Sequence, residues 1–330
     1  MDVKISHMAI CFLLFFFSGC PVHFEYWKLT TSSEEGYLKL TKITTREDLV
    51  DTDSPFGLSK DGTKIAFISW RSGNGDIYVR PLGTGSKASI QRTFSSETET
   101  QPVFSPDGKQ IAFSVWKEGS RKICLIEAEG GSAVRFITTS TPQNAEYPDF
   151  APDGNLLAFN SFNIIWDSKT QQWTRQIGSE YIWIYDITTG SFTQYVQGLM
   201  PKFTPDGKNI IFKRLSQKGW YGLWMLNLAT GSETQITGGE DWGVGYFSIA
   251  PDGKKIVFAS NKGTKENTGT RLNSNLWAVN IDGSNLLQLT FHPGDDICPV
   301  WSQDGKYIYF LACRGEEKEG VMNIWQMEVR

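Results

Sequence analysis

Carboxylates recur in the segments that lead into predicted β-strands, and this residue type binds cations and basic peptides. The set comprises Asp51, Asp53, Glu97, Glu99, Glu146, Asp241, Asp295 and Asp296. Where such segments meet at one mouth, their summed negative charge attracts a cation or a basic peptide patch. A pair of carboxylates at a suitable separation also supports glycoside chemistry. A rim of solvated carboxylates without a ligand is the alternative interpretation.

Tryptophans near these carboxylates are candidate binding anchors, because large aromatic side chains contribute strongly to binding at interfaces. Trp166 and Trp173 lie in an aromatic insertion, and Trp242 directly follows Asp241. The tryptophans expected to be exposed are Trp70, Trp116, Trp166, Trp173, Trp220 and Trp242. We expect two or three of these six side chains to contact a partner and the others to pack inside the fold.

Other chemistries lack the residues that they require. The only histidines are His7, His23 and His292, and no Cys-x-x-Cys pair occurs, so a zinc site is not indicated. No Gly-x-Ser-x-Gly motif marks a serine hydrolase. The 32 basic and 36 acidic residues give a net charge of −4, without the basic excess that nucleic-acid binding needs. We therefore expect no metal, no cofactor and no nucleic-acid partner.

An internal repeat organises the chain. Asp-Gly pairs recur about every 49 residues, a spacing typical of propeller blades, at Asp61, Asp107, Asp153, Asp206, Asp252 and Asp304. The fullest copies read Phe-Ser-Pro-Asp-Gly-Lys-Gln-Ile-Ala-Phe over 104–113 and Phe-Thr-Pro-Asp-Gly-Lys-Asn-Ile-Ile-Phe over 203–212. Proline presets φ, aspartate closes a turn through its side chain, and glycine accepts a positive φ. Each copy therefore predicts a tight hairpin between two strands.

A third and a fourth strand follow each hairpin. The third carries an aromatic at a fixed place, as in Asn275-Leu-Trp-Ala278, with Cys124 as a buried substitute in the second copy. After a Gly-Ser turn, the fourth ends near a threonine, as in Leu287-Gln-Leu-Thr290. Four strands in each of six repeats predict an all-β fold, a six-bladed β-propeller over residues 37–330. Cys298 and Cys313 flank one hairpin, and free thiols are favoured over a disulfide because the pair is out of register.

The ends of the repeat region predict ring closure. The sixth copy stops after its third strand, while residues 38–44 resemble a fourth strand without a blade of its own. Pairing this N-terminal strand beside Asn323–Val329 completes the last blade and removes the open sheet edges. The long connections of the repeats then share one face of the disc. The carboxylates and tryptophans named above fall on that face, which is the expected working face.

The N-terminal segment is typical of an export signal. Residues 8–17 form an apolar run that is too short to span a bilayer and long enough for a signal-peptide core. Ser18-Gly19-Cys20 closes the run and resembles a bacterial lipobox, in which Cys20 receives the lipid. We expect a lipoprotein signal peptide over 1–19 and a lipidated tether over 20–36. An ordinary secretory signal is the alternative.

The repeat Pro-x-[Phe/Trp]-[Ser/Thr]-x-Asp-Gly-Lys, followed by Ile/Leu-Trp/Tyr and Gln-Leu/Ile-Thr, resembles the propellers of the TolB family. The resemblance covers residues 38–330 and implies a role in the Tol–Pal system of the bacterial envelope. A peptidoglycan-associated lipoprotein would bind over the channel mouth. This chain departs from the family in having only a short tether before the propeller, without the N-terminal α/β domain. Similar blades occur in prolyl-oligopeptidase-like proteins and in oligogalacturonate lyase.

Two functions follow from these expectations. The first is a lipid-anchored, non-catalytic propeller that binds an envelope protein, with the outer membrane facing the periplasm as the favoured location. The alternative is a carbohydrate-active enzyme or glycan-binding propeller that uses the acidic mouth. The histidine ligands of the lyase-like relatives cannot be assembled here, because beyond the signal segment only His23 and His292 occur.

Overall fold

The structure is a computed structural model and describes residues 39–83, 88–131, 133–139, 142–238, 241–263, 273–314 and 321–329. The predicted signal peptide, Cys20 and the tether lie outside these residues. Among the described residues the structure has 26 strands and one short 3-10 turn, Arg46–Asp48. None of the helical structure found there is long and apolar enough to cross a membrane.

Six four-stranded antiparallel sheets follow one another along the chain, which confirms the predicted propeller. The strands of blades one and two are Gly57–Leu58, Lys64–Ser69, Asp76–Pro81 and Ile90–Gln91, then Glu99–Phe104, Gln110–Lys117, Ser120–Glu127 and Arg135–Phe136. Those of blades three and four are Ala145–Phe150, Leu156–Ser161, Tyr181–Asp186 and Phe192–Gln197, then Leu199–Phe203, Asn209–Leu215, Tyr221–Asn227 and Glu233–Thr237. Those of blades five and six are Val244–Ile249, Lys255–Ser260, Asn275–Asn280 and Leu287–Gln288, then Asp296–Trp301, Tyr307–Ala312, Asn323–Glu328 and the N-terminal Leu40–Lys42.

The Asp-Gly turns join the first two strands of each blade as predicted. In blade two the Asp107 carboxylate accepts hydrogen bonds from the Ser105 hydroxyl at 2.6 Å and the Lys109 amide at 3.1 Å. These bonds, the hydroxyl first, lower the pKa of Asp107. Gly108 has a φ of 71°, in the left-handed region that favours glycine. Aspartate and glycine therefore each have a defined role in the turn.

The core lies between neighbouring sheets. The second strand of every blade contributes one fully buried phenylalanine, and the six are Phe67, Phe113, Phe159, Phe212, Phe258 and Phe310. Cys124, in the third strand of blade two, is also fully buried, as expected for a residue in the place of a core aromatic. Because both faces of each sheet are covered, the second strands are continuously apolar rather than alternating.

The N-terminal strand closes the ring beside the third strand of blade six, as predicted. Leu40 pairs with Met327, and Lys42 pairs with Trp325. The carbonyl of Lys39 accepts a hydrogen bond from the Glu328 amide at 3.3 Å, close to the Asp-Gly turn of blade six. The chain therefore enters the propeller on the face of the Asp-Gly turns. The long connections lie on the opposite face.

Candidate binding site at the channel mouth

The innermost strands of blades two to six share a register shift that the repeat motif does not reveal. In blade two it lies between Thr100 and Val103, and the other four blades repeat it. Within it, four residues that precede a proline have positive φ angles between 53° and 60°: Gln101, Tyr147, Met200 and Cys298. Such bulges re-aim a side chain at the cost of local backbone strain. Here they occur in the strands that line the axis.

Hydrogen bonds from the preceding part of the ring hold three of these four strained residues through their backbone amides. The Gln101 amide donates to Ser54 Oγ at 2.8 Å, and the Tyr147 amide donates to Gln101 Oε1 at 2.7 Å. The Met200 amide donates to Asn160 Oδ1 at 3.0 Å. Each acceptor belongs to the preceding part of the ring, so the geometry of the mouth depends on the closed ring.

Side chains from blades that are not neighbours meet at the axis. The rings of Tyr147, from blade three, and Tyr246, from blade five, lie tilted to each other with centroids 6.3 Å apart. The Tyr246 hydroxyl also donates to the carbonyl of Asp53, which precedes blade one, at 2.8 Å. Burial raises the pKa of both tyrosines, so both hydroxyls remain protonated.

Lys213, from the second strand of blade four, extends into the same region. The residue is 5% exposed, and its Nζ lies 4.8 Å from the centroid of the Tyr221 ring. Burial, followed by the positive charge of Arg175, lowers the pKa of Lys213 to about 7. The amine is therefore close to half-protonated near neutral pH.

A buried ion cluster fixes the blade-three insertion beside the mouth. Arg175 pairs with Glu146, which also lies 3.8 Å from Arg121 Nε and accepts a bond from Asn160 Nδ2 at 3.4 Å. The Arg175 guanidinium stacks 3.7 Å from the centroid of the Phe162 ring. Two cations around one buried carboxylate hold the end of the insertion firmly against the first strand of blade three.

The insertion itself is a two-stranded hairpin, Ile164–Asp167 with Gln172–Arg175. Trp166 and Trp173 pair across it in an edge-to-face arrangement, with ring centroids 5.6 Å apart. Their residues are 51% and 65% exposed, although the hairpin base is anchored. An exposed aromatic pair therefore stands on a hairpin whose base is anchored beside the axial mouth.

Comparisons with known proteins agree with this architecture. Residues 24–163 match the model of the TolB beta propeller domain. The Tol-Pal system protein TolB of Francisella tularensis subsp. tularensis is 32% identical over 114 residues, 33% of this chain and 24% of that one. The chain is a six-bladed β-propeller and is TolB-like in the blades that these matches cover. A solved structure from Agrobacterium tumefaciens, assigned to TolB, superposes on the TolB-like propeller with a TM-score of 0.61 and 21% identity, covering 89% of this chain and 98% of that one.

One relative of the TolB-like propeller is an enzyme. Dipeptidyl-peptidase 5 of Porphyromonas gingivalis is 30% identical over 118 residues, 33% of this chain and 16% of that protein. The matched segments thus span a quarter or less of the two curated relatives. The similarity concerns the blades.

Three of the predicted site carboxylates are enclosed by the TolB-like fold rather than open to solvent. Glu99 is 2% exposed and accepts bonds from the Ser95 and Thr93 hydroxyls. Glu146 belongs to the arginine cluster, and Asp296 is fully buried against Arg314. The expectation of solvent-facing carboxylates is therefore corrected at these positions, because they lie within the innermost strands and between blades.

The other predicted carboxylates remain accessible. Asp53 and Asp241 are exposed, while Asp51, Glu97 and Asp295 are half-buried. Asp51 accepts hydrogen bonds from Trp70 Nε1 at 3.1 Å and from the Asp53 amide at 2.7 Å, and Asp295 accepts one from the Ser274 amide at 2.8 Å. The backbone carbonyl of Asp53 accepts the hydrogen bond of the axial Tyr246 hydroxyl. The Asp53 carboxylate therefore lies at the border of the mouth.

The tryptophans divide between surface and core. Trp70 and Trp116 are exposed, as are Trp166 and Trp173, and Trp220 is half-buried. The expectation that Trp242 is exposed is wrong, because its ring stacks on Phe258 with centroids 6.1 Å apart and only 7% of the residue is accessible. Packing against a core phenylalanine explains its burial.

The axial residues were missed in the sequence because their chemistry differs from blade to blade. Tyr147 and Cys298 share a signal, the position before the proline of the repeated Pro-x-Phe/Trp segment, whereas Tyr246 is followed by Phe247. Cys298 is buried, and no disulfide joins it to Cys313, as expected. Among the described residues, no group of three or more His, Cys, Asp or Glu side chains is arranged to hold a metal ion.

Proposed function

We propose that this TolB-like propeller is a non-catalytic binding protein of the bacterial envelope that engages a protein partner at its channel mouth. The observation that carries the proposal is the rigid mouth itself. Tyr147, Tyr246 and Asp53 interlock there from blades that are not neighbours, with the Trp166–Trp173 pair exposed beside them. Preorganised aromatic side chains bind a protein surface with a small loss of conformational entropy.

The partner class follows from the resemblance and from the surface chemistry. TolB propellers act in the Tol–Pal envelope system, and a peptidoglycan-associated lipoprotein is the partner that the resemblance implies. Accessible carboxylates at Asp53 and Asp241 favour a basic patch on that partner. The glycan alternative is not favoured, since the family match and the TolB relative both concern TolB propellers.

The entry point of the chain suits a lipid anchor. Lys39 lies on the face of the Asp-Gly turns, opposite the connection that carries the tryptophan hairpin. If Cys20 is lipidated, the tether approaches the propeller from the membrane side and leaves the mouth facing away from the bilayer. Outer-membrane anchoring with the mouth in the periplasm is the arrangement that we propose.

The decisive experiment captures partners from envelope extracts with the full chain and with the Trp166→Ala/Trp173→Ala variant. Both side chains are exposed, so the variant should fold normally while capture falls at least about tenfold, as for central interface anchors. The matched control is Phe136→Ala/Leu287→Ala, which removes two exposed apolar side chains from outer strands far from the mouth.

Two outcomes would contradict the proposal. Equal capture by the tryptophan variant and by the control would exclude the hairpin face as the binding surface. Turnover of a polysaccharide by the purified chain would replace the binding function with an enzymatic one. Mass-spectrometric identification of the captured protein then tests whether it is a peptidoglycan-associated lipoprotein.

A further inference from the structure

Lys213 is a buried cation without a buried anion of its own. The residue is 5% exposed, and within the described chain no carboxylate forms an ion pair with it. Buried lysines are normally paired, since an isolated ammonium loses its hydration without compensation. At the corresponding place after the core phenylalanine, the other blades carry neutral residues: Ile68, Ser114, Asn160, Ala259 and Leu311. A lysine at this place therefore needs an explanation beyond packing.

The amine lies within electrostatic reach of an innermost strand on another blade. Its charge interacts with the thiol of Cys298, which belongs to the innermost strand of blade six. Blades four and six are separated by blade five, so groups from both approach each other only across the channel. Lys213 is therefore positioned to meet a group that enters along the axis.

The charges around Lys213 leave one cation uncompensated. Glu146 is already held by Arg175 and Arg121, and Arg175 acts on Lys213 by repulsion. Glu180 acts electrostatically on Arg175 and Tyr221, and no carboxylate is among the groups that shift the pKa of Lys213. The other groups that contact Lys213 or act on its charge are neutral: the Tyr221 ring and the Cys298 thiol.

We propose that Lys213 is the anchoring group of a carboxylate-binding site inside the channel mouth, in which its ammonium pairs with one carboxylate of a ligand. A buried ammonium without a paired anion suits a carboxylate, because charge-assisted bonds of this kind are short and strong where water is excluded. The carboxylate belongs either to a small organic acid or to the C-terminus of a peptide. The site does not depend on the partner proposed above.

Proton linkage provides the test. An unliganded amine with a pKa of about 7 is mostly neutral at pH 8, and a bound carboxylate stabilises the ammonium. Calorimetric titration of the full chain with acetate at pH 8, in Tris and in triethanolamine, should therefore show uptake of most of one proton per acetate bound. The difference in observed enthalpy between the two buffers measures this uptake.

Three variants test whether the ammonium of Lys213, rather than another group, binds the acetate. Lys213→Met should lose at least about tenfold in acetate affinity, because the cation that pairs with the carboxylate is gone. Lys213→Arg should keep binding but lose the proton uptake, since a guanidinium is always charged. Lys255→Met, which removes an exposed lysine from the second strand of blade five, should bind as the unaltered protein does.

Peptide probes then distinguish the two sources of carboxylate. Tighter binding of acetyl-alanyl-alanine than of acetate, with no binding of its C-terminal amide, supports a peptide C-terminus. Equal or tighter binding of acetate supports a small organic acid. The proposal is overturned if acetate does not bind, if Lys213→Met binds it unchanged, or if the amide binds as well as the acid.

Discussion

At the scale of single residues, the clearest consequence concerns Glu99, a carboxylic acid enclosed between blades one and two. Burial, assisted by the nearby charge of Asp76, raises the pKa of Glu99 to about 7, although the Ser95 and Thr93 hydroxyls donate to it. Between pH 4.5 and 7 the folded protein therefore binds more protons at Glu99 than the unfolded chain does. Stability falls as the pH rises through this window, by on the order of 3 kcal/mol when the full shift is expressed.

Glu99→Gln should abolish this dependence, because an amide does not titrate. Urea denaturation at pH 5 and pH 8 should show a large loss of stability with rising pH in the unaltered protein and a smaller loss in the variant. Glu97→Gln is the control, since Glu97 is half-buried two residues away and should leave the dependence unchanged. Parallel pH profiles of all three proteins would mean that Glu99 does not bind the proton.

At the scale of elements, the blade-three hairpin illustrates what sequence patterns can and cannot predict. The Asp-Gly turns, the third-strand aromatics and the insertion itself were all predictable, because each depends on local backbone chemistry or on length. The pairing of Arg175 with Glu146 was not, since it joins residues far apart in a geometry that only the assembled sheet defines. For the same reason, the sequence did not predict Tyr147, Tyr246 and Lys213 as site residues. It also led to the wrong prediction that Trp242 is exposed.

Arg175→Met should release this hairpin while leaving the propeller folded. The buried Glu146 carboxylate would then have only the more distant Arg121, at 3.8 Å, as a cationic partner. Because removing one partner leaves a buried charge poorly compensated, we expect the free energy of unfolding to fall by about 3 kcal/mol. Trypsin should then cut after the exposed Lys169, at the hairpin tip, at least about tenfold faster. Arg135→Met, on the outer strand of blade two, is the matched control. An unchanged cleavage rate at Lys169 would show that the ion cluster does not hold the hairpin.

At the scale of the whole molecule, one repeated hydrogen bond joins the third and fourth strands of most blades. The hydroxyl of a buried threonine at the end of the fourth strand accepts a hydrogen bond from a backbone amide of the third strand, with N–O distances of 2.8–2.9 Å. The pairs are Ile77 with Thr93, Ile123 with Thr138, Leu276 with Thr290, and Ile324 with Thr44. Of these four pairs, only Ile324 with Thr44 joins the two ends of the chain. In the last blade this type of hydrogen bond therefore contributes to ring closure.

Thr44→Val tests whether closure depends on this bond. The substitution leaves the buried Ile324 amide without its acceptor and removes the bond from Thr44 to Asn323 Oδ1, so we expect a loss of about 1–3 kcal/mol. Thr138→Val removes the same kind of bond inside blade two and should cost a similar amount.

The two variants should differ in hydrogen exchange. Thr44→Val should lower protection along both Leu40–Lys42 and Asn323–Glu328, because the first strand has no covalent turn to hold it against its partner. In Thr138→Val the loss should be confined to blade two, where a short turn keeps the strands together. Full protection of residues 323–328 in Thr44→Val would show that strand pairing and core packing close the ring without the threonine.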